Sequence, residues 1–383
     1  MSIIGLPPVT RHRPTVAVID LDAVRHNVRA VKPEGSAFMA VVKANGYGHG
    51  AAPAARAALE GGARWLGVAL VDEGIELRDA GIDDPVLLLS EPHEDAMDDV
   101  VAGRLTPTLY TPEGVAAAAK AAAHNGARVG GPLAVHVKVD TGMHRVGADP
   151  QDALAIAQAV TERSELHLAG LWTHLAFAEE PGHPFTTEQL DRFDRVRAEL
   201  AGAGIVPELV HAAGSGGTIA VPRARHDLVR VGIALYGVPP ADDLAALVEL
   251  TPAMSVKAQV SMVRDVPAGD GVSYGLRYRF DRPARVATVP LGYADGVPRA
   301  LSGAGGEVLI GGRRYPMAGT VTMDQFMVDC GDAHVARGDE VVVLGAQGSD
   351  RITANEVGTR VGTIGYEIVC GIGPRVPRVY VDR

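Results

Sequence analysis

The stretch FMAVVKANGYGHGAAPAARAALEGGARWLGVAL, residues 38–70, contains one complete unit of the fold. An apolar run ends in Lys43, and a glycine-rich turn and an alanine-rich segment lead to a second apolar run. The alanine-rich segment carries apolar residues three and four positions apart, which predicts a helix. The flanking runs are continuously apolar, as in parallel strands buried on both faces. The stretch therefore predicts a strand, a helix and a second parallel strand.

The same alternation continues along the chain as far as Tyr236. Its apolar runs are FMAVVK, WLGVAL, VLLLS, TPTLY, AVHVKVD, AGLWTHLA, LVHAAGS and LVRVGIALYG. Eight strand and helix units of this kind predict an α/β fold, an eight-stranded parallel (β/α)8 TIM-type barrel, rather than an open sheet. The earlier segment TVAVIDLDAVRHNVRAVK predicts a short strand and a helix that precede the barrel.

The residue pattern of the sequence changes after about Leu250. Segments such as MSVKAQVSMVRDVP, ARVATVPLGYADG and DEVVVLGAQG are short, alternate in polarity, and are punctuated by Gly, Pro and Asp. These features are typical of hairpins in a small, mainly β domain. We expect a barrel over residues 14–249 and a C-terminal β domain over 250–383, which residues 1–13 could join.

Composition limits the classes of function. At 383 residues and 47% hydrophobic content, the chain can bury the core of a globular enzyme. It has no apolar run near the roughly 20 residues of a membrane span, and its first residues lack signal-peptide order, so we expect a cytoplasmic protein. A formal net charge of -10 argues against nucleic-acid or anionic-membrane partners. The two cysteines, Cys330 and Cys370, give neither a disulfide framework nor a metal-ligand spacing.

Unexpected polar residues occur at the ends of the predicted strands, where barrels of this kind carry their active sites. They are Lys43, Lys138, Arg145, His174, His211, Ser215 and Arg230. Converging cations need an anionic partner, and the segment Gly214–Gly217 follows strand seven, where such barrels often hold a phosphate. A phosphate-bearing cofactor and a strand-end lysine together suggest pyridoxal phosphate bound as a Schiff base. Read singly, Lys43 could be a solvent-directed strand-end lysine, and GSGG an ordinary turn.

Nine motifs then support a family resemblance. In order they are VVKANGYGHG, VKVDTGMHRVG, GLWTHLA, HAAGSGG, LVRVGIALYG, GVSYGLRY, LGYADG, MDQ and TIGYEI. Together they resemble alanine racemases, pyridoxal-phosphate enzymes that pair an eight-stranded barrel with a C-terminal β domain. The resemblance implies interconversion of L-alanine and D-alanine, a supply of D-alanine for peptidoglycan, and a homodimer with shared active sites.

The resemblance also implies roles for single residues. Lys43 would carry the cofactor as N6-pyridoxal phosphate lysine and act as one catalytic base, with Tyr274 of the partner subunit as the opposite base. Arg230 would face the pyridine nitrogen, and Arg145 would lie near the phenolic oxygen and the substrate. Lys138 matches a lysine that is carbamylated in many members, as N6-carboxylysine.

Further contacts with cofactor and substrate follow from the same resemblance. His174 would lie near the cofactor, Met323 would receive the substrate carboxylate through its N–H, and Tyr293 would line the entrance. The residues expected to contact the cofactor phosphate are Tyr47, Ser215, Gly232, Ile233 and Tyr366.

Some positions depart from the family pattern. Gly214 replaces a common Asn, Thr320 a frequent Arg, Thr322 a small Cys or Ser, and Glu179 an Asp. These changes leave substrate access and inhibitor sensitivity open, so the sequence is also compatible with a serine or broad-spectrum racemase.

Three more distant functions also occur on barrels of this kind, and the sequence argues against each of them. A decarboxylase of the same fold would place an acidic residue where Arg230 stands. A non-catalytic pyridoxal-phosphate carrier would be a single barrel without the β domain and Tyr274. A metal-dependent barrel hydrolase would need clustered His and Asp at the strand ends, and lysine and arginine occupy them instead, so we expect no metal ligands there.

Overall fold

The computed structural model describes residues 12–129 and 131–382. The chain divides into two compact units. The first, here called the barrel unit, comprises Val24–Gly46 and Ala51–Thr251. The second, the β unit, contains the described residues up to Ala23, the short segment Tyr47–Gly50, and the chain from Pro252 onward. The expected placement of residues 1–11 lies outside the described residues.

The chain begins with a strand and a helix, β1 (Thr15–Asp20) and α1 (Leu21–Val31). Eight strands of the barrel unit follow, one within or overlapping each apolar run of the sequence. They are β2 (Ala37–Val41), β3 (Trp65–Val68), β4 (Val86–Leu88), β5 (Thr108–Leu109), β6 (Leu133–Lys138), β7 (Leu166–Trp172), β8 (Leu209–His211) and β9 (Leu228–Val231).

These eight strands close into a parallel barrel. They form two four-stranded sheets, ordered β4-β3-β2-β9 and β5-β6-β7-β8. One gap is closed where the Leu88 N–H donates to the Thr106 carbonyl at 2.9 Å. The other is closed where the Arg230 N–H donates to the Ala213 carbonyl at 3.0 Å. The ends of all eight strands therefore form one rim, at which a site can be assembled.

Helices and turns connect the strands. They are α2 (Lys43–Tyr47), α3 (Ala51–Gly61), α4 (Val71–Asp79), α5 (Met97–Ala102), α6 (Pro112–Val129), α7 (Ala153–Thr161), α8 (Pro184–Gly202) and α9 (Ser215–Ala220). Helix α3 buries an alanine face that includes Ala54, Ala55 and Ala58, so it lies close to its neighbours. Apolar side chains such as Met39, Leu87 and Leu228 form a buried cluster of strand residues. The continuous apolar runs thus supply a two-sided core, as expected for parallel strands.

The β unit is built around a ten-stranded sheet. Its strands are β10 (Met254–Gln259), β11 (Met262–Val266), β14 (Ala284–Val289), β15 (Glu307–Ile310), β16 (Arg313–Ala318), β17 (Phe326–Asp329), β18 (Glu340–Gln347), β19 (Asp350–Ile352) and β20 (Arg378–Val381), together with β1. Strand β1 pairs antiparallel with β10, Thr15 opposite Ala258, and parallel with β20. The strand that precedes the barrel in sequence therefore belongs to the sheet of the β unit.

The β unit also carries a short hairpin and two helices. The hairpin is β12 (Gly271–Val272) and β13 (Tyr278–Arg279), joined by a 3₁₀ turn at Tyr274–Leu276. The helices are α10 (Ala354–Val361) and α11 (Gly365–Cys370). Thr353 caps α10, because its hydroxyl oxygen accepts the Glu356 N–H. Within the described residues, no helix combines the length and apolarity needed to cross a membrane.

Candidate active site

The first site element is the turn that follows β2. Lys43 is half-buried at the start of α2, immediately past the strand. The next four residues, Ala44, Asn45, Gly46 and Tyr47, all have positive φ, between 52° and 62°. They wind left-handed, a conformation that glycine adopts readily and other L-residues adopt at a cost of roughly 1–2 kcal/mol each. A strained turn therefore leads directly away from the predicted cofactor lysine.

Lys43 belongs to a group of cations at the strand ends of the barrel unit. Lys138 ends β6 and is only 3% exposed, and Arg145 lies in the loop that follows. Burial, then the positive charges of Arg230 and Arg145, lower the pKa of Lys138 to about 7, with Asp140 opposing them and Lys43 contributing less. The structure thus brings Lys43, Arg145 and Arg230 within electrostatic reach of Lys138.

Arg230 is held in place by several hydrogen bonds. It lies on β9, is 4% exposed, and donates through Nη2 to the carbonyls of Thr173 and Ala212, each at 2.9 Å. Its Cζ stands 4.5 Å from the centre of the Trp172 ring. Burial lowers the pKa of Arg230 to about 9, which still leaves the guanidinium charged at neutral pH. The side chain is a fixed, buried donor.

Arg230 also fixes the tautomers of three histidines. A guanidinium only donates, so His211 Nδ1, at 2.9 Å from Nη1, must accept. His174 Nδ1, at 3.1 Å from Nη2, accepts as well and shares the two Nη2 hydrogens with the carbonyls of Thr173 and Ala212. His211 Nε2 then carries the proton and donates to His136 Nδ1 at 2.9 Å. Burial, followed by the charge of Arg230, lowers the pKa of His174 and His211 well below the usual value and that of His136 to about 3. All three imidazoles are therefore neutral donors and acceptors rather than cations.

The predicted phosphate segment surrounds Ser215. This residue is 7% exposed at the start of α9, and its Oγ accepts the N–H of Gly232 at 3.0 Å and of Ala234 at 3.4 Å. Its hydroxyl proton is therefore directed elsewhere. Ile233, fully buried, begins the 3₁₀ turn Ile233–Tyr236. A Cβ at Gly214 would stand 3.3 Å from His174 Cε1, so the glycine suits this tight approach better than a larger residue.

The β unit carries the remaining predicted residues. The rings of Tyr47 and Tyr366 lie 6.3 Å apart, so these two are brought together. Tyr274, Tyr293 and Met323 are instead strongly exposed, at 75%, 43% and 52%. The Tyr293 and Met323 loops are joined, since the Ala294 N–H donates to the Met323 carbonyl at 3.1 Å.

Tyr274 lies beside a pocket of about 630 Å³ whose lining includes Val272, Met262 and Thr322. Thr320 is buried and its hydroxyl donates to the Tyr274 carbonyl at 3.4 Å. The Ser273 hydroxyl donates to the Thr320 carbonyl at 2.8 Å. The threonine that departs from the family pattern therefore tethers the backbone of the turn that presents Tyr274.

Sequence reasoning missed three residues of this region. Glu73 accepts the Ala44 N–H at 2.6 Å, yet the two positions are far apart in sequence. Trp172 lies under both buried cations, with Lys138 Nζ 4.3 Å from its ring centre. His136 sits on an apolar strand, and its only sequence signal is a polar residue inside a buried run. A search for polar residues within strands, rather than at their ends, would have found His136 but not Glu73.

The barrel unit carries buried cations at its strand ends, and the β unit exposes a tyrosine in a turn. These features place the chain in the class of two-domain barrel enzymes. Residues 19–240 match the family model for the N-terminal domain of alanine racemase, and residues 253–380 match that for the C-terminal domain. An alanine racemase from Symbiobacterium thermophilum is 47% identical over 371 residues, 96% of this chain and 97% of the relative.

Solved structures agree with the sequence matches. Alanine racemase from D-cycloserine-producing Streptomyces lavendulae is 41% identical, with a TM-score of 0.91 over 97% of this chain and 98% of that one. The enzyme from Streptomyces coelicolor gives 40% identity and a TM-score of 0.90, over the same shares of the two chains. The chain belongs to the alanine racemase family and is an amino-acid racemase, an isomerase. The predicted fold class and family are confirmed.

Proposed function

We propose that this protein interconverts L-alanine and D-alanine with pyridoxal 5'-phosphate as its cofactor, through two bases, Lys43 and Tyr274 of the partner subunit. The observation that carries the proposal is the group of Lys43, Lys138, Arg145 and Arg230 at the strand ends of a barrel belonging to this family. The proposed role is a cytoplasmic supply of D-alanine for peptidoglycan.

The residues present suit an anionic cofactor of this kind. Arg230 is an almost fully buried cation whose pKa burial lowers, so an anionic group beside it would offset the cost of burying its charge. The cofactor, when bound, supplies an aldehyde that bonds to an amine and a ring that withdraws electrons from the substrate α-carbon. Lys43 provides the amine.

The phosphate of the cofactor would be held by hydroxyl and backbone donors. Ser215 can donate its hydroxyl proton because its oxygen already accepts two backbone N–H groups. Gly232 and Ile233 belong to the turn whose N–H groups bond to Ser215, and Tyr47 and Tyr366 of the β unit form a pair of phenols. Their assignment as phosphate contacts rests on the family resemblance.

Arg230 would control the protonation state of the pyridine nitrogen. A guanidinium cannot accept a hydrogen bond, so it favours an unprotonated ring nitrogen and a weaker electron sink. Its contacts with Thr173, Ala212 and His211 hold it in one orientation. His174 and Arg145, close to Arg230 in the cluster, are proposed to line the cofactor and the substrate. A neutral His174 adds no further positive charge there.

Inversion at the α-carbon needs a proton acceptor on each face, because one fixed side chain rarely reaches both. Lys43 would remove the proton on one face and Tyr274 on the other. Tyr274 is 75% exposed within its own chain, which supports a role toward a second copy of the protein. Met323 and Tyr293, also exposed, are proposed to hold the substrate carboxylate and to line the entrance of the partner's site. The proposed assembly is a homodimer.

We also propose that Lys138 is carbamylated. Its pKa near 7 leaves a substantial fraction of neutral amine at neutral pH, the form that attacks carbon dioxide. A bond forms from the neutral Nζ to the carbon, one C=O π bond opens to give a carboxylate, and one N–H proton leaves to solvent. The neutral amine thereby becomes an anion. That anion could pair with Arg145 or Arg230.

The direct test of function is a substrate panel of both enantiomers of alanine, serine and lysine with the purified, cofactor-loaded enzyme. We expect alanine to be racemised fastest, from either enantiomer. Equal turnover of serine would indicate a broad-spectrum racemase instead. Failure to racemise either alanine enantiomer would refute the proposal.

Lys43→Ala tests how the cofactor is held. The variant should lose the visible absorbance of the lysine imine and all measurable racemisation, because it lacks the amine that is proposed to bond to the cofactor. Lys120→Ala, on helix α6, is the matched control and should keep both signals. Retention of the imine band in Lys43→Ala would assign the cofactor to a different lysine.

A further inference from the structure

Glu73 bridges two loops at the strand ends of the barrel. It lies in the first turn of α4. Its Oε2 accepts the N–H groups of Ala69 at 2.8 Å and Leu70 at 3.1 Å, the two residues that directly precede that helix. Its Oε1 accepts the N–H of Ala44 at 2.6 Å, in the loop after the neighbouring strand. One carboxylate therefore caps α4 and binds the residue next to Lys43.

Ala44 is held in a conformation that its side chain disfavours. Its φ and ψ are 52° and 50°, and Asn45 follows at 52° and 49°. Such backbone persists only where surrounding contacts determine it. Asn45 Oδ1 accepts the Ala51 N–H at 2.9 Å, and the Gly46 N–H donates to the Val42 carbonyl at 2.8 Å. The Ala44 contact with Glu73 comes instead from the next strand-helix unit.

We propose that Glu73 is a positioning residue for Lys43, acting by holding Ala44 in the left-handed conformation through its carboxylate. This rests on the proposed role of Lys43. The direction in which Lys43 leaves β2 depends on the backbone on either side of it. If Ala44 relaxes to a right-handed or extended conformation, the start of the turn changes and the amine is displaced.

A carboxylate suits this position better than the amide of equal size. Both oxygens of Glu73 face N–H groups, and both accept. In Glu73→Gln one terminal atom becomes an NH2 group, which places a donor against either Ala44 or the start of α4. The substitution changes charge and hydrogen bonding with almost no change in volume. Glu76→Gln, one turn along the same helix and exposed, is the matched control.

The test combines two measurements on the full-length enzyme. Hydrogen–deuterium exchange is followed by mass spectrometry in peptides that cover residues 41–50, and kcat and KM are measured for both alanine enantiomers. In Glu73→Gln we expect exchange in this segment to rise and kcat to fall, each on the order of tenfold, with KM little changed. Glu76→Gln should match the wild type in both. Exchange and kcat in Glu73→Gln that equal those of Glu76→Gln would overturn the proposal.

A second variant separates positioning from a loss of stability. Glycine adopts positive φ without the alanine penalty, so Ala44→Gly in the Glu73→Gln background should recover at least half of the lost kcat. If Glu73 only stabilises α4, glycine at position 44 recovers nothing, and the proposal fails. Exchange is read independently of racemisation. An inactive wild type whose 41–50 exchange still responds to Glu73→Gln would refute the proposed function while leaving the hold on Ala44 intact.

Discussion

Tyr274 can be tested apart from Lys43, because each proposed base serves one enantiomer. Tyr274→Phe should lower racemisation by roughly 10²-fold or more, the usual contribution of a general base. We assign the α-hydrogen of L-alanine to Tyr274 and that of D-alanine to Lys43. In solvent deuterium, the variant should therefore still exchange the α-hydrogen of D-alanine but not that of L-alanine. Nuclear magnetic resonance measures both exchanges directly.

The matched control is Tyr278→Phe in the same hairpin. Its hydroxyl donates to Asp329 at 2.7 Å, a structural contact within the β unit. This variant should exchange both enantiomers. Equal exchange of the two enantiomers by Tyr274→Phe would remove its assigned role.

Lys138 makes the stability of the fold depend on pH. Burial first, then Arg230 and Arg145, lower its pKa from 10.5 to about 7 in the folded chain. Between these values the unfolded chain binds a proton that the folded chain lacks, so stability rises with pH across this window. Lys138→Met removes the dependence. Urea unfolding without carbon dioxide should therefore show wild type gaining stability over the variant from about pH 7.5 to 9.5. If the difference in free energy of unfolding between wild type and Lys138→Met stays constant with pH, the lowered pKa assigned to Lys138 is wrong.

At the scale of elements, β7 supports the cationic cluster through Trp172. The ring is 2% exposed, stacks on His211 at 5.5 Å, and has Lys138 and Arg230 over its face. Trp172→Leu should lower the free energy of unfolding by about 2–4 kcal/mol, since it removes buried area and two cation–π contacts. Urea denaturation measures the change.

Trp65→Leu on β3 is the comparison, because that ring is less buried and lies against His136, at 5.4 Å between ring centres, rather than against a cation. Trp65→Leu should lower the free energy of unfolding by less than Trp172→Leu does. Equal losses would mean that the cation contacts of Trp172 add nothing measurable.

The sequence predicted these elements unevenly, for physical reasons. Barrel strands could be predicted because parallel strands are apolar on both faces, and Lys43 could be found because it ends such a run. The left-handed turn of Ala44 and Asn45 could not, because neither residue favours positive φ as glycine does. The place of β1 in the β-unit sheet depends on its pairing with β10, far along the chain, which no local pattern encodes. Likewise, an acidic residue in the first turn of a helix is common, so the sequence alone does not indicate that Glu73 contacts Ala44.

At the scale of the whole molecule, the proposed homodimer explains why the β unit exposes Tyr274, Tyr293 and Met323. Exposed large side chains are typical of surfaces that meet a partner, and Tyr274 also lines a pocket. If the active sites are shared, each contains Lys43 from one subunit and Tyr274 from the other. Dissociation by dilution should then abolish activity while each chain stays folded.

The most direct test of this shared two-base site is a subunit mixture. Lys43→Ala and Tyr274→Ala chains, each inactive alone, are co-expressed with different affinity tags, and mixed dimers are isolated through both tags in turn. In a mixed dimer one site carries both substitutions and the other carries neither. The mixed dimer should therefore show about half of the wild-type alanine racemase activity. Activity no higher than that of the separate variants, in a preparation shown to contain mixed dimers, would contradict the assignment of Lys43 and Tyr274 to one site across the interface.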